Sequence, residues 1–276
     1  MPKPNSPFGR VLILGLGRAG KSLALTFLDR GFPVTVWDRD VRKAGRFARA
    51  HGCAAEISQK WRCDPSMVII AVADGAVAEV AKLILKAGMP PSSIVHLSGV
   101  LSLQPLLPLK RAGWHVGKWH PIFSFPVRPA PLPKGVMFGY RGGSASMDKA
   151  ILALCRRLDG GGIRIRPGAD AAYHLACVAA GNFLFAQMDF ARRLLRRSLG
   201  TGRGADAESL LLPLIFSSLD NMKRDGLKGG LTGPWARGDR ETMRLHRAYL
   251  KRSAPDLLPF YREAGRLLER LTSGWR

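Results

Sequence analysis

Three stretches of the chain hold residues whose types and spacing could do chemistry. The first is Gly15, Gly17 and Gly20, a G-x-G-x-x-G with Leu16, Arg18 and Ala19 between the glycines. The second is "GKWHPIFSFP" at 117–126, where His120 stands between a tryptophan and a proline. The third is "YHLACVAAGN" at 173–182, which places His174 and Asn182 eight positions apart. The glycines are spaced to turn tightly, to let a pyrophosphate reach the backbone, and to seat a helix closely on a strand. Histidine titrates near neutrality and is a common proton carrier, but a ring flanked by aromatics serves as well as a buried turn residue. The sequence leaves both roles open for His120. His174 and Asn182 share one side of a helix, where an asparagine among apolar neighbours needs polar partners.

These groups need elements to hold them. "VLIL" before Gly15 reads as a buried strand, and the residues after Gly20 have the apolar spacing of a helix at Leu23, Phe27 and Leu28. A second strand is expected at 33–37, ending in Asp38, whose carboxylate could hold a ribose 2′-hydroxyl. Arg39, Arg42, Lys43, Arg46 and Arg49 follow, either to receive a 2′-phosphate or as a solvated helix face. The choice between NAD and NADP stays open. Alternation continues with a helix at 40–50, the strand "SMVIIAVAD", a helix at 75–87, the strand "SIVHLSG", a helix at 102–112 and the short strand "WHVGK". After a proline-rich connection at 126–133 come "GVMFGYRG" as a strand, a helix at 145–158 and "GIRIRP" as a last strand.

The expected fold is α/β, a doubly wound Rossmann domain with a mainly parallel sheet over 1–167. An all-helical domain is expected over 168–276, with no further strand. In such a sheet the ligand lies beyond the carboxyl ends of the strands. Val72 and Ala73 would offer backbone to the cofactor there, Ser98 a hydroxyl near nicotinamide and substrate, and His120 would follow its strand. Asp74 reads as a helix N-cap. In "GGLTGPWARGDRETMRLH" a loop is expected to precede a helix starting near Asp239, with Thr232 and Arg237 able to clamp a carboxylate. His246 reads as a surface or interface residue.

At 276 residues and 46 % hydrophobic, the chain can bury a sizeable core, and its longest apolar runs fall short of the roughly 20 residues of a membrane span. The opening stretch leads into a strand and lacks the pattern of an export signal, so the expected location is the cytoplasm. Cys53, Cys63, Cys155 and Cys177 lack metal-ligand spacing, and no metal is expected. The net charge of +23 is concentrated early, with 25 Lys/Arg against 9 Asp/Glu over 1–167. Such a field attracts anionic cofactors and substrates. It could attract nucleic acid too, but no binding motif or stacking pattern accompanies it, which disfavours that reading.

"GLGRAG", "VIIAVAD", "HLSGV", "GKWHPIFSFP", "YHLACVAAGN" and "LTGPWARGD" stand in an order that resembles bacterial proteins joining a Rossmann-like domain to the helical domain DUF2520. More distantly the chain resembles pyrroline-5-carboxylate reductase, prephenate dehydrogenase and the 6-phosphogluconate dehydrogenase-like group. The resemblance implies an NAD(P)(H)-dependent oxidoreductase architecture and a homodimer. Prephenate dehydrogenases carry a histidine followed by proline that serves their substrate chemistry, which favours His120. In the wider group an asparagine on the first long helix of the second domain contacts substrate or nicotinamide, commonly with a lysine one turn earlier. Asn182 matches the asparagine, but Val178 replaces the lysine, leaving histidine as the proton source. The function expected is hydride transfer between NAD(P) and a small anionic oxo acid or imine. The alternative is a non-catalytic NAD(P)-binding sensor.

Overall fold

The computed structural model describes residues 9–57, 61, 63–199 and 206–273. Residues 1–8, the opening stretch read above as leading into a strand, lie outside them. Two compact units result, 1–181 and 182–276.

The first unit is built on one eight-stranded sheet. Its strands are β1 (Val11–Leu14), β2 (Val34–Trp37), β3 (Ala54–Ala55), β4 (Met67–Ile70), β5 (Ser93–His96), β6 (His115–Pro121), β7 (Met137–Gly142) and β8 (Gly161–Arg164). They lie in the order β3-β2-β1-β4-β5-β6-β7-β8, which begins as a Rossmann sheet does. Every neighbouring pair is parallel except β6 and β7. Strands β1 and β4 are buried throughout, because helices cover both faces of the sheet. Side chains alternate between those faces. Val11 and Ile13 pack with Leu23 and Phe27 of α1 (Arg18–Asp29) and with Ala44 and Phe47 of α2 (Val41–His51). Leu12 and Leu14 pack with Val77, Val80 and Ile84 of α3 (Val77–Lys86) and with Leu109 of α4 (Leu107–Arg111). The helix α5 (Ala145–Arg157) adds Met147, Ile151 and Leu154 to the first face.

Helix boundaries follow their caps. Asp40 accepts from Lys43 N at 3.0 Å and opens α2, and Gly52 closes it with φ 65°. Asp74 does not play the capping role expected of it. It opens a 3₁₀ turn over Asp74–Ala76, and the residues preceding that turn and α3 are Ala73 and Ala76, neither with a side-chain cap. The apolar face of α3 holds it in place without one.

The strand "WHVGK" is longer than expected. Its parallel bonds to β5 end at Lys118, but its antiparallel bonds to β7 run on to Pro121, pairing His120 with Gly139. His120 therefore lies within the sheet and not in a turn beyond it. The proline-rich 126–133 passage belongs to the connection from β6 to β7, anchored by buried Leu132, whose N–H donates to Thr26 Oγ1 at 2.8 Å.

Helix α6 (Asp170–Ser198) begins in the first unit and continues into the second. The second unit adds α7 (Ala207–Gly229), α8 (Gly233–Arg237), α9 (Arg240–Ser253) and α10 (Leu258–Ser273), and its described residues form no strand. The expected loop at 230–238 holds the one-turn helix α8. Pro234 presets its start, Gly238 at φ 65° ends it, and Trp235 packs so closely that a Cβ on Gly265 would meet its ring at 2.5 Å. Asp239 caps α9 as expected, accepting from Thr242 N at 3.0 Å. No helix among the described residues is long and apolar enough to cross a membrane.

Candidate active site

The glycine turn forms where strand β1 meets α1. Gly15 has φ 102°, and a Cβ there would lie 2.6 Å from Ala71 O, so only glycine turns here without strain. A Cβ on Gly20 would lie 1.9 Å from Gly15 O, which is the close helix-to-strand packing expected of the third glycine. Gly17 is different. Nothing in the protein lies within 4 Å of a Cβ placed there, so its bareness leaves room for something else. Gly17 also precedes α1, whose first turn holds no acidic residue, so the N–H groups of Arg18, Ala19 and Gly20 open toward an anion. Leu16 is buried, and its N–H donates to Asp38 Oδ2 at 2.7 Å.

Asp38 follows β2 and binds the turn to the next helix. It also accepts from Asp40 N at 3.0 Å and from Lys43 Nζ at 2.9 Å. Burial alone would raise its pKa, but the Lys43 ammonium and the two backbone donors outweigh this and hold the carboxyl below its usual range. A cavity of about 510 Å³ opens beside it, lined by Gly15, Asp38, Arg39, Val72 and Ala73 among others. Of the residues read from the sequence for the cofactor, Gly15, Asp38, Arg39, Val72 and Ala73 share this cavity and Ser98 does not line it; a bare glycine, helix N–H groups and a part-apolar cavity fit a dinucleotide.

Ser98 is buried and engaged in its own loop, its hydroxyl accepting from Leu101 N at 3.0 Å. The loop is built around His96, a residue the sequence reading passed over. Its Nδ1 accepts from Ser98 N at 3.2 Å, which leaves Nε2 to donate to Ser102 O at 3.0 Å. Burial pushes the His96 imidazole down to about 4. This has a sign for stability. The unfolded chain takes up the proton first as pH falls below about 6.5, so His96 stabilises the fold above that value and loses roughly 3 kcal/mol by pH 4. Urea unfolding is expected to show most of that loss between pH 7 and pH 4.5, and His96→Gln should remove its share, leaving the part due to His120, which is shifted alike.

His120 forms a cluster with α6. Its Nδ1 lies 2.7 Å from Tyr173 Oη, the two rings meet edge to face at 5.5 Å, and the His174 ring stands 6.0 Å away. The backbone is shaped for this. A Cβ on Gly99 would meet His174 Cδ2 at 2.4 Å and His120 Nε2 at 2.9 Å, and one on Gly139 would meet Tyr173 Oη at 2.1 Å. The His120 ring is pushed down to about 4, by burial first and then by His174 and Lys118. Burial raises Tyr173, and Cys177 adds to the effect. At neutral pH the pair is therefore a neutral imidazole joined to a neutral phenol.

Under the cluster lie three charges the sequence reading did not select. Lys118 Nζ donates to Asp170 Oδ1 at 2.6 Å and to Gly99 O at 2.8 Å, and Arg141 donates to Asp170 Oδ2 at 3.0 Å. A lysine and an arginine inside strands that are otherwise apolar were the available signal. Tyr173 left none beyond its place beside His174. Asn182, Thr232 and Arg237 belong to the second unit, where all three are exposed.

With this geometry in place, comparison with known proteins becomes informative. Residues 10–103 match the NAD-binding domain of 6-phosphogluconate dehydrogenase, and residues 136–268 match the domain of unknown function DUF2520. The chain thus carries a match to each of the two domains, in that order. No curated protein matches it. Among solved structures it is similar to protein TM1727 from Thermotoga maritima, with a TM-score of 0.75 and 23 % identity over 95 % of this chain and 98 % of that one. A reductive aminase from Aspergillus terreus, in complex with NADPH and ethyl-5-oxohexanoate, gives 0.63 and 21 % over 98 % and 95 %. A 1-pyrroline-5-carboxylate reductase from Streptococcus pyogenes gives 0.65 and 11 % over 96 % and 98 %. At these identities the DUF2520 protein shares their fold, and its first domain is one that binds NAD(P)(H).

Proposed function

We propose that this DUF2520 protein is an NAD(P)-dependent oxidoreductase acting on a small anionic substrate, an oxo acid or an imine, with His120 and Tyr173 handling the proton. The 2.7 Å bond from His120 Nδ1 to Tyr173 Oη carries the reading, because it prepares a proton path in the same unit as the dinucleotide turn. NAD(P)(H), when bound, supplies or accepts the hydride. The neutral imidazole suits the oxidative direction, where it takes the proton that an alcohol or amine must lose. In the reductive direction a carbonyl needs a donated proton, whereas an imine that arrives protonated does not. This weighs toward the imine, as do the structural relatives described as a reductive aminase and a pyrroline carboxylate reductase. His174 would wall the ring, and Ser98 would keep its loop in shape near the substrate. Asn182, Thr232 and Arg237 of the second unit carry an amide, a hydroxyl and a guanidinium, the groups that bind carboxylates.

The purified protein is expected to oxidise NADPH or NADH with at least one member of a panel of oxo acids, cyclic imine carboxylates and aldehydes. Tight cofactor binding with no turnover across that panel would instead support the sensor. Asp38 already accepts from three donors, so its hold on a ribose diol competes with existing bonds, while Arg39 lines the cavity unpaired with it. The ratio of Michaelis constants for NADH and NADPH measures the preference, and a preference for NADPH that survives Arg39→Ala would remove that arginine from the explanation.

A homodimer is part of the proposal. Phe185, Leu214 and Phe216 in the second unit are 72 %, 64 % and 59 % exposed, more apolar surface than helices α6 and α7 would show to water alone. Sedimentation should give twice the chain mass, and Phe216→Glu should shift it toward the monomer.

A further inference from the structure

The cluster of Lys118, Asp170 and Arg141 is an unusual use of the interior. The three residues are 0 %, 7 % and 7 % exposed, two cations around one carboxylate, so a net positive charge is buried. Buried ion pairs are weak stabilisers, because desolvation consumes most of the attraction, and apolar side chains of similar volume often do as well. The cluster's place in the chain gives it another use. Lys118 lies two residues before His120 on β6, and alternation puts both on the same face. Asp170 is the first residue of α6, one turn before Tyr173 and His174. Lys118 Nζ also holds Gly99 O, the loop residue that faces His120 Nε2, and lies 5.8 Å from the Tyr173 ring centre. Arg141 ties β7 to the chain just before α6 through Arg166 O at 3.1 Å.

We propose that Lys118, Asp170 and Arg141 are positioning residues for His120, fixing the start of α6 and the Gly99 loop on β6 and β7 so that Tyr173 and His174 stay against the imidazole. Each of the elements that touch the ring is held by a bond to one of the three. The surplus cation acts on the ring as well. The charged and titratable groups facing His120 are Lys118 on its own strand, His174 and Tyr173 on α6, His96 on β5 and Asp74 after β4. Lys118 makes protonation of His120 harder, and Asp74 makes it easier. Arg141 balances Asp170 when Lys118 is removed, so Lys118→Met leaves a neutral pair and is the variant to make.

The inference rests on the proposed function only for its kinetic consequence, and its main test needs no turnover. Histidine ring titration by NMR, with the His120 signal assigned through His120→Asn, should show the His120 midpoint of Lys118→Met raised by about one pH unit, a tenfold change. With any substrate that turns over, kcat should fall about tenfold while the dissociation constant of NADPH stays within about twofold, since the glycine turn lies on other elements. A folded Lys118→Met with an unmoved midpoint and an undisturbed Tyr173 contact overturns the inference. Should that variant not fold, Lys118→Gln, whose amide can still donate to Asp170 or Gly99 O, should keep the Tyr173 contact while loss of the charge raises the midpoint, and an unmoved midpoint there overturns the inference. A shifted midpoint together with a disturbed Tyr173 contact, in a protein that turns over nothing, would uphold the inference while ending the oxidoreductase reading.

Discussion

Replacing His120 with asparagine is expected to lower turnover at least about a hundredfold, the lower end of what a positioned acid or base contributes. The dissociation constant for NADPH should stay within about twofold, because Gly15, Gly17, Gly20 and Asp38 lie in the turn after β1, in α1 and just after β2, away from β6. An asparagine amide can still reach Tyr173 Oη, so the fold should persist. Equal loss of cofactor binding and thermal stability would return His120 to a structural ring. The pH dependence has a definite direction. Oxidation needs the neutral imidazole, so kcat/KM in that direction should rise with pH through about 4 and stay level above it. Tyr173→Phe removes the 2.7 Å partner but leaves the ring and should cost less than His120→Asn.

Much of the fold was legible because the signals were local. The glycines of "GLGRAG" and the apolar strands each state their role within a few residues. The direction of β7 was not. Antiparallel pairing follows from the chain's path through 122–136, and no short window encodes it, so His120 was expected beyond a strand that in fact contains it. The site divides similarly. His120 and His174 could be named by residue type, whereas Tyr173, Lys118, Arg141 and Asp170 acquire meaning only when β6, β7 and α6 meet, 53 residues separating His120 from its tyrosine. Gly99 and Gly139 are glycines for the same distant reason, since the atoms they must not meet belong to rings from other elements. The boundary between the units also escapes a local reading, because it falls inside the continuous helix α6.

The glycine turn offers the second large effect, and two alanines can separate its causes. In Gly20→Ala the new methyl would lie 1.9 Å from Gly15 O and 3.2 Å from Ala71 Cβ. The first neighbour is backbone, and Gly15 cannot retreat, since it already holds φ 102° close to Ala71 O. The turn must open, so both stability and cofactor binding should collapse, with a loss on the order of the 1–3 kcal/mol of overpacking or more. Gly17→Ala meets nothing within 4 Å, and φ −67° suits alanine. Its stability should fall by less than about 1 kcal/mol, the modest cost of alanine at a helix N-cap. Yet its methyl would fill the space through which an anion reaches the free N–H groups of α1, so NADPH binding should weaken at least about tenfold, roughly 1.4 kcal/mol. Thermal unfolding together with fluorescence titration of NADPH separates the two cases. A Gly17→Ala variant that binds as tightly as the parent would mean that the pyrophosphate does not approach through this turn.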